Sequence, residues 1–535
     1  MAIALLGVAG LIAVGLLAIR NDGRAPAVRR GPQESPAPPP EGEMSISYPE
    51  EPLSLNPYSF SGDTNATRDL LRPVLPTLLE IGPDLEYRPS LATKVPAGKD
   101  ITTNPHTITY RLNRRAVWSD GTPITAADVR FTWETIRNGQ WAIADRLPYE
   151  HVTDVQVVNP TTVKLVMDGP FSAWRDLFSA GDFILPKHLL EGKDFSTEML
   201  DQVGFSGGPF LIEGWTRGLE VIYRANPEWW GRGPGFERVH VFFVPDHDIA
   251  LELLERKRLD GVFTTTQVNI EAQMKSIEGV EVKSRFGSSW WEIAFNTESG
   301  PASRRGVRLA IARGVDRAGI TEALVRSGGR PLEHLAPGRE LAPAFAPFTK
   351  DLTHVEPNLR EAGFVIGRDG MFTSDAGQIT VATPSQNAMG GNIERALQQG
   401  LRNAGLQIEI ANPEPDILYG LWRREGNYDI AIWERRGTPS MSLASSYRSD
   451  RLPPIGINYT RARLAELDAA LEAADRTLKG DDALDAVMAR LGEVIPAIPV
   501  FESKAFIASR GIDGPDPNAT IEGPFWNLGA WRKAA

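Results

Sequence analysis

The apolar positions of this chain follow two periods, one typical of strands and one typical of helices, and the two are mixed from residue 44 onward. Between residues 108 and 112 apolar and polar side chains alternate, which predicts a half-buried strand. Thr125-Ala-Ala-Asp128 has the form of a capping box and predicts the start of an amphipathic helix. Valine-rich runs on either side of Asn159-Pro160 predict the two arms of a hairpin. Together these patterns predict a small subdomain of strand, helix and hairpin.

The rest of the chain carries the same mixture of periods. Residues 238–245 predict a strand, and residues 249–258 predict a helix whose last three residues are basic, which suits the negative end of a helix dipole. Strands at 378–383 and 407–411 are predicted on either side of a helix at 392–404. No internal repeat is present, so an α/β or α+β architecture with a second lobe, and therefore a cleft, is expected.

Near the C-terminus, leucine spacing predicts two further amphipathic helices. The first is predicted to present four leucines on one face, which are Leu464, Leu467, Leu471 and Leu478. The second is predicted to present Leu484, Val487, Met488 and Leu491.

The N-terminus begins with an apolar run from Ala2 to Ile19, which predicts a signal sequence or membrane anchor at 1–20. A proline-rich linker is predicted at 21–43. Arginines follow the run and no basic residue precedes it, a bias that by itself would keep the following domain in the cytoplasm. A misassigned start codon, or cleavage near Ala25-Pro26-Ala27, would reconcile this bias with export. We interpret the chain as exported to the periplasm or the outer face of the cytoplasmic membrane, either anchored or secreted.

Composition excludes several classes of function. With 535 residues, 42% of them apolar, the chain is long enough to form at least two globular units. A net charge of -11 argues against a nucleic-acid partner, because phosphate binding requires clustered Lys and Arg. The absence of cysteine excludes disulfides, Cys-ligated zinc, thiol nucleophiles and a lipid-modified cysteine anchor.

Several motifs occur in a fixed order. They are a strand, D-G-T-P turn and A-x-D-V helix start at 110–129, Gly-Pro-Phe at 208–210, Asn-Pro-Glu-Trp-Trp-Gly at 226–231, and Phe-Asn-Thr at 295–297 followed by 308–317. Together they resemble the family 5 bacterial solute-binding proteins, the group that contains the oligopeptide-, dipeptide- and nickel-binding proteins of ABC importers. The resemblance extends over most of the chain after Met44.

The resemblance implies an α/β, two-lobed type II periplasmic-binding-protein fold with an extra subdomain in the first lobe. The expected first lobe spans 44–290 with the extra subdomain at about 71–200, the second lobe spans 291–499, and residues 500–535 return to the first lobe. Hinge closure around a peptide or peptide-like ligand would give the permease subunits of an importer a surface present mainly in the loaded state. The protein is expected to act as a monomer, without covalent chemistry, cofactor or metal.

The resemblance also implies where the ligand lies. In peptide-binding members a Trp after a Tyr/Phe-Asp motif lines the pocket, and an acidic residue about three positions later meets the peptide's α-amino group. Tyr428-Asp429 and Trp433 match this motif, but Arg436 stands at the acidic position. An arginine would attract a carboxylate and repel an ammonium group, unless Glu434 takes over the acidic role. The predicted ligand-binding residues are Ser54 and Asn56 of a Leu-Asn-Pro loop, Trp290, Trp291, Trp433, Glu434, Arg435 and Arg436.

Other interpretations remain open at this point. The two arginines could lie in a solvated loop, and the tryptophans could pack the hinge. Ser206 lies in a Gly-x-Ser-x-Gly pattern, but a strand-like segment follows the serine where a hydrolase needs a helix. His240 and Asp246-His247-Asp248 lack the spacing of a zinc enzyme, and no phosphate-binding loop is present. A surface protein that senses a ligand without transporting it would use the same cleft.

Overall fold

The structure is a computed structural model, and it describes residues 42–265, 267–478 and 481–534. The predicted signal or anchor at 1–20 lies outside the described residues, as does the predicted linker at 21–43 except for its last two residues. Within the described part of the chain, no helix has both the length and the apolar character needed to cross a bilayer.

The strands are, in chain order, β1 (Glu43–Tyr48), β2 (Leu79–Ile81), β3 (Tyr87–Pro89), β4 (Ile101–Thr103), β5 (His106–Arg111), β6 (Val152–Asn159), β7 (Thr162–Met167), β8 (Phe210–Thr216), β9 (Glu220–Ala225), β10 (Arg238–Phe243), β11 (Gly261–Thr265), β12 (Glu281–Arg285), β13 (Ser289–Phe295), β14 (Gly329–Pro331), β15 (Val365–Ile366), β16 (Phe372–Thr373), β17 (Ile379–Ala382), β18 (Ile408–Ile410), β19 (Ile430–Arg436), β20 (Ala497–Ser503), β21 (Ala505–Ser509), β22 (Ile512–Asp513) and β23 (Arg532–Lys533).

The α-helices are, in chain order, α1 (Asn65–Leu71), α2 (Ala126–Arg137), α3 (Leu147–Glu150), α4 (Lys187–Leu190), α5 (His247–Glu255), α6 (Ile270–Ser276), α7 (Arg305–Gly314), α8 (Arg317–Leu324), α9 (Val355–Glu361), α10 (Ala388–Asn403), α11 (Arg423–Glu425), α12 (Ala444–Tyr447), α13 (Ala465–Asp475) and α14 (Asp481–Val494). A π-helical segment, Asp416–Trp422, precedes α11.

Two large mixed sheets and a smaller antiparallel sheet organise the described residues. The first lobe is built on the order β12-β21-β11-β1-β10-β9-β8, with β1 parallel to both β10 and β11. The second lobe is built on the order β14-β20-β13-β19-β17-β18. The extra subdomain contains the sheet β4-β5-β7-β6, and α2 contacts its strand β6.

The chain passes twice between the two large sheets. It leaves the first sheet after β12 and enters the second at β13, and it returns at Lys504, between β20 and β21. The predicted boundaries at 290/291 and 499/500 fall inside β13 and β20, and both strands belong to the second sheet. The two large sheets have separate apolar cores, and Leu147 of the extra subdomain packs into the core of the second lobe.

Most elements predicted from periodicity are present. The capping box is confirmed, since the Thr125 side chain accepts from the Ala127 N–H and the Asp128 carboxylate accepts from the Thr125 N–H. The hairpin at Asn159-Pro160 is confirmed as β6 and β7. The prediction for Leu478 is wrong, because α13 ends at Asp475 and Leu478 is 45% exposed.

Candidate ligand site between the lobes

A cavity lies between the lobes and has two adjoining chambers. The first chamber, about 270 Å³, is walled by the loop and helix around Asp63 and Arg68, by acidic residues of the extra subdomain, and by the end of β19. The second chamber, about 210 Å³, is lined by several prolines with Trp291 and Met389. Both chambers share the residues Glu50, Thr64, Asn387, Tyr419 and Glu434. A ligand long enough to occupy both would contact both lobes.

The end of β19 supplies half of the predicted ligand-binding residues. The strand is buried from Ile430 to Trp433 and then becomes partly exposed, so its last residues reach the cavity edge. Trp433, Glu434, Arg435 and Arg436 all line the first chamber. Neither arginine lies in a solvated loop, because both belong to a paired strand.

The tryptophans of β13 lie beside β19. Trp291 lines the second chamber and is paired with Glu434 in the register of the two strands. Trp290 is 1% exposed and lines neither chamber, but its ring lies 5.8 Å below the guanidinium of Arg435. Trp290 therefore supports the cavity wall from behind.

Ser54 and Asn56 lie behind the wall of the first lobe and line neither chamber. The Asn56 side-chain amide donates to the carbonyls of Phe195 and Glu198, both at 3.1 Å. The Ser54 hydroxyl accepts from the Asn56 N–H at 3.1 Å. These bonds fix the Leu-Asn-Pro loop against the extra subdomain.

Glu292, in the middle of β13, organises the aromatic wall and was not predicted. Its fully buried carboxylate accepts from the indole N–H of Trp290 at 3.0 Å and from that of Trp433 at 2.9 Å. The Arg435 guanidinium lies 3.7 Å away and balances its charge. The only available signal was a single charged residue within an otherwise apolar run, Trp290 to Phe295.

Arg436 forms an ion pair that joins the lobes. One of its terminal nitrogens donates to both carboxylate oxygens of Asp69 on α1, each at 2.8 Å. Asp69 is fully buried and also accepts from the Tyr48 hydroxyl at 2.6 Å. Burial alone would lower the pKa of Arg436, but the charges of Asp69 and Glu434 raise it above its usual value. The charge of Arg436 is thus balanced within the protein.

Gly523 lies against this ion pair, with φ at +66°. A Cβ at this position would stand 1.8 Å from a carboxylate oxygen of Asp69. Any larger residue at position 523 would therefore displace the carboxylate.

The other arginines of the first chamber also have partners. Arg68 contacts the Asp63 carboxylate at 2.6 Å, and Arg423 donates to the carbonyls of Phe60 and Asp63. Arg435 donates to the Ser446 hydroxyl at 2.6 Å. Burial would raise the pKa of Asp63, but Arg68 and Arg423 hold it below its usual value.

Four carboxylates on the chamber walls have raised pKa values. Burial, the largest cause in each case, raises the pKa of Glu50 and Asp182 to about 7 and that of Asp145 and Asp176 to about 6. The nearby charge of Glu434 raises the pKa of Glu50 further. No sequence motif pointed to these residues, which come from separate segments of the chain.

The hydrolase interpretation fails on geometry. Ser206 is fully buried, and its hydroxyl contacts the main-chain carbonyls of Val74 at 2.8 Å and Phe210 at 2.6 Å. The strand β8 follows it, so the strand–serine–helix order of a nucleophile elbow is not present. His240 is held between Glu220 and Glu43, and the described residues contain no group of three or more potential ligands arranged to hold a metal.

Two lobes joined by two crossings, an extra subdomain and a cavity between the lobes define a type II binding protein. The family model "Bacterial extracellular solute-binding proteins, family 5 Middle" matches residues 86–451, and the chain belongs to this family. Its function is accordingly to bind a solute. Both the predicted fold and the predicted family are confirmed.

Three similar proteins illustrate the range of the family. The oligopeptide-binding protein OppA of Mycobacterium tuberculosis is 27% identical over 451 residues, which cover 81% of this chain and 74% of the relative. The oligopeptide-binding protein AppA of Bacillus subtilis, solved with a nonapeptide, has a TM-score of 0.82 at 17% identity, covering 92% of this chain and 99% of that one. NikZ of Campylobacter jejuni, solved with Ni(L-His), has a TM-score of 0.80 at 20% identity, and the match covers 92% of this chain and 100% of NikZ.

Proposed function

We propose that this protein captures a peptide or peptide-like solute between its lobes and delivers it to the permease of an ABC importer. The observation that carries the proposal is the two-chamber cavity, whose walls come from both lobes. A ligand that contacts both lobes favours their closed arrangement, so a permease that recognises this arrangement selects the loaded protein.

The proposed peptide contacts follow from the cavity walls. Trp291, Trp433, Glu434 and Arg435 meet the ligand, and Arg436 acts through its ion pair with Asp69. Trp290, Ser54 and Asn56 hold these walls in place without touching the ligand. The names of the relatives support a peptide, since OppA and AppA are described as oligopeptide-binding.

The protein is exported and stays at the outer face of the cytoplasmic membrane or in the periplasm, with its N-terminal segment as signal or anchor. It acts as a monomer and catalyses no reaction. Ser206, the one serine in a hydrolase-like pattern, is buried against main-chain carbonyls, and His240 is paired with two glutamates.

A binding screen with the full-length protein tests the proposal. Mixed peptide pools should raise the melting temperature, because a ligand that binds only the native state stabilises it according to its concentration relative to Kd. Trp433→Ala should abolish the shift, whereas Trp229→Ala, which changes a tryptophan outside both chambers, should keep it. If metal chelates raise the melting temperature and no peptide does, the solute is not a peptide.

A further inference from the structure

The positive charges of the first chamber are already used within the protein. Arg436 is paired with Asp69 and Arg68 with Asp63, at 2.8 and 2.6 Å. Arg435 and Arg423 bind a hydroxyl and main-chain carbonyls, and each also lies within 4 Å of a carboxylate. A ligand carboxylate entering the chamber would have to compete with these partners.

Several negative charges of the same chamber lack such partners. Among the residues that the structure describes, Glu50, Asp145 and Asp182 form no ion pair with Lys, Arg or His within 4.0 Å. Their hydrogen-bond donors are neutral groups: the Asn387 amide at 3.3 Å for Glu50, the Leu147 N–H at 3.0 Å for Asp145, and the Tyr149 hydroxyl at 3.0 Å for Asp182.

The extra subdomain supplies two of these carboxylates, Asp145 and Asp182, and places Asp176 in the same chamber wall. Burial raises the pKa of Asp182, and the charges of Asp145 and Asp176 raise it further. Arg68 attracts Asp182 from a distance, but its guanidinium is bonded to Asp63. Ionised carboxylates in a confined cavity are costly unless a cation compensates them.

The second chamber gives an independent sign of a ligand. The Trp291 side chain lines this chamber and is 2% exposed, and its indole N–H has no acceptor among the described residues. An indole nitrogen can only donate, and a buried donor without an acceptor is destabilising. A carbonyl group of a ligand that extends from the first chamber would satisfy it.

We propose that the preferred solute is a peptide or peptide-like cation with net positive charge, which places an ammonium or guanidinium group between Asp145 and Asp182 and extends toward Trp291. The inference rests on the proposed function of the cavity. It specifies the charge of the ligand, which the proposed function leaves open.

A peptide series that differs only in charge tests this inference. Pentapeptides with Lys, Gln or Glu at one position, and their N-acetylated, C-amidated forms, are titrated into the full-length protein by calorimetry. The Lys peptide should bind about 10- to 100-fold more tightly than the Gln peptide, the range expected for one hydrogen-bonded charge pair, and the Glu peptide most weakly. A linear alkyl diamine, which has no peptide group, is included as a separate cationic probe.

Isosteric variants locate the charge recognition. Asp182→Asn and Asp145→Asn should each remove most of the preference for the Lys peptide over the Gln peptide, measured as the ratio of the two dissociation constants on the same variant. Asparagine can keep the hydrogen bonds from Tyr149 and Leu147, so both variants should fold with an unchanged or higher melting temperature. The matched control is Asp375→Asn, whose carboxylate is 86% exposed and lines neither chamber.

The outcomes separate the two proposals. Equal or tighter binding of the Gln or Glu peptide overturns the charge inference and leaves peptide capture standing. Binding of the diamine alone supports a cationic ligand but contradicts a peptide. Failure of every probe, cationic, neutral and acidic, overturns both.

Discussion

At the scale of single residues, the ion pair between Arg436 and Asp69 is one of several contacts that link the two lobes, together with those of Arg451 to Glu150 and Arg423 to Asp63. Asp69→Asn should open the lobes, because the buried guanidinium loses its partner, at a cost to the closed state of about 3–5 kcal/mol. A penalty of this size is large enough to shift most molecules from the closed to the open arrangement of the lobes. Small-angle scattering should therefore show a larger radius of gyration.

Two matched variants make this prediction specific. Asp69→Leu combined with Arg436→Met replaces the pair by apolar side chains and should recover much of the closed state. Arg360→Gln removes an exposed ion pair with Glu356 on α9 and should change neither shape nor stability by more than about 1 kcal/mol. An Asp69→Asn protein with unchanged dimensions would show that other contacts hold the lobes.

At the scale of elements, the pairing of β13 with β19 aligns Glu292 with Trp433 and thereby shapes the cavity wall. Glu292→Gln should destabilise the protein by about 1–3 kcal/mol, because glutamine has one acceptor oxygen for two indole N–H groups. Urea unfolding measures this loss, and tryptophan fluorescence should report the altered surroundings of Trp433. Ligand affinity should fall in parallel.

A strand control accompanies this prediction. Glu281→Gln changes the same residue type on β12, where the carboxylate is 58% exposed, and should leave stability within about 0.5 kcal/mol. Equal unfolding midpoints for the wild type and Glu292→Gln would mean that the two indoles find other acceptors.

At the scale of the whole molecule, the interlobe carboxylates make stability depend on pH. Burial raises the pKa values of Glu50, Asp145, Asp176 and Asp182 to about 6–7, whereas the unfolded chain has values of about 4. Between these limits the folded state binds more protons than the unfolded state, so the stability of the ligand-free protein should fall as pH rises from 5 to 8.

Thermal unfolding at pH 5, 6.5 and 8 measures this dependence. Asp182→Asn should make stability depend less steeply on pH, since it removes one of the groups with a raised pKa. The pH dependence of Asp375→Asn should be parallel to that of the wild type. A bound cationic ligand should restore the stability that is lost at pH 8, where the carboxylates are ionised. Buried His151, His247 and His334, whose pKa values burial lowers, contribute the opposite slope, so the decisive comparison is between variants. An Asp182→Asn curve parallel to that of the wild type would contradict the raised pKa of Asp182.

Much of the fold could be predicted because its signals are local. The capping box of α2 needs only Thr125 and Asp128, and the alternation along β5 needs only its own residues. Leu478 shows the limit of this reasoning, since it continues the leucine period beyond the point where α13 ends. The motif order was sufficient to indicate the family. Only that resemblance pointed to Trp433, Glu434, Arg435 and Arg436 as ligand-binding residues; all four line the first chamber, and their contact with a ligand stays a prediction.

The sequence by itself thus determined the elements, the two-lobed class and the family. Only the tertiary structure decided the chemistry of the cavity: Arg436 was expected to meet a ligand anion, but it is bonded to Asp69, which is 367 positions away in the chain. Glu292 and the acidic residues of the extra subdomain likewise acquire their roles from distant partners. The physical reason is that periodicity and capping depend on neighbours within a few residues, whereas the charge that a side chain presents depends on its burial and on the groups that folding places beside it.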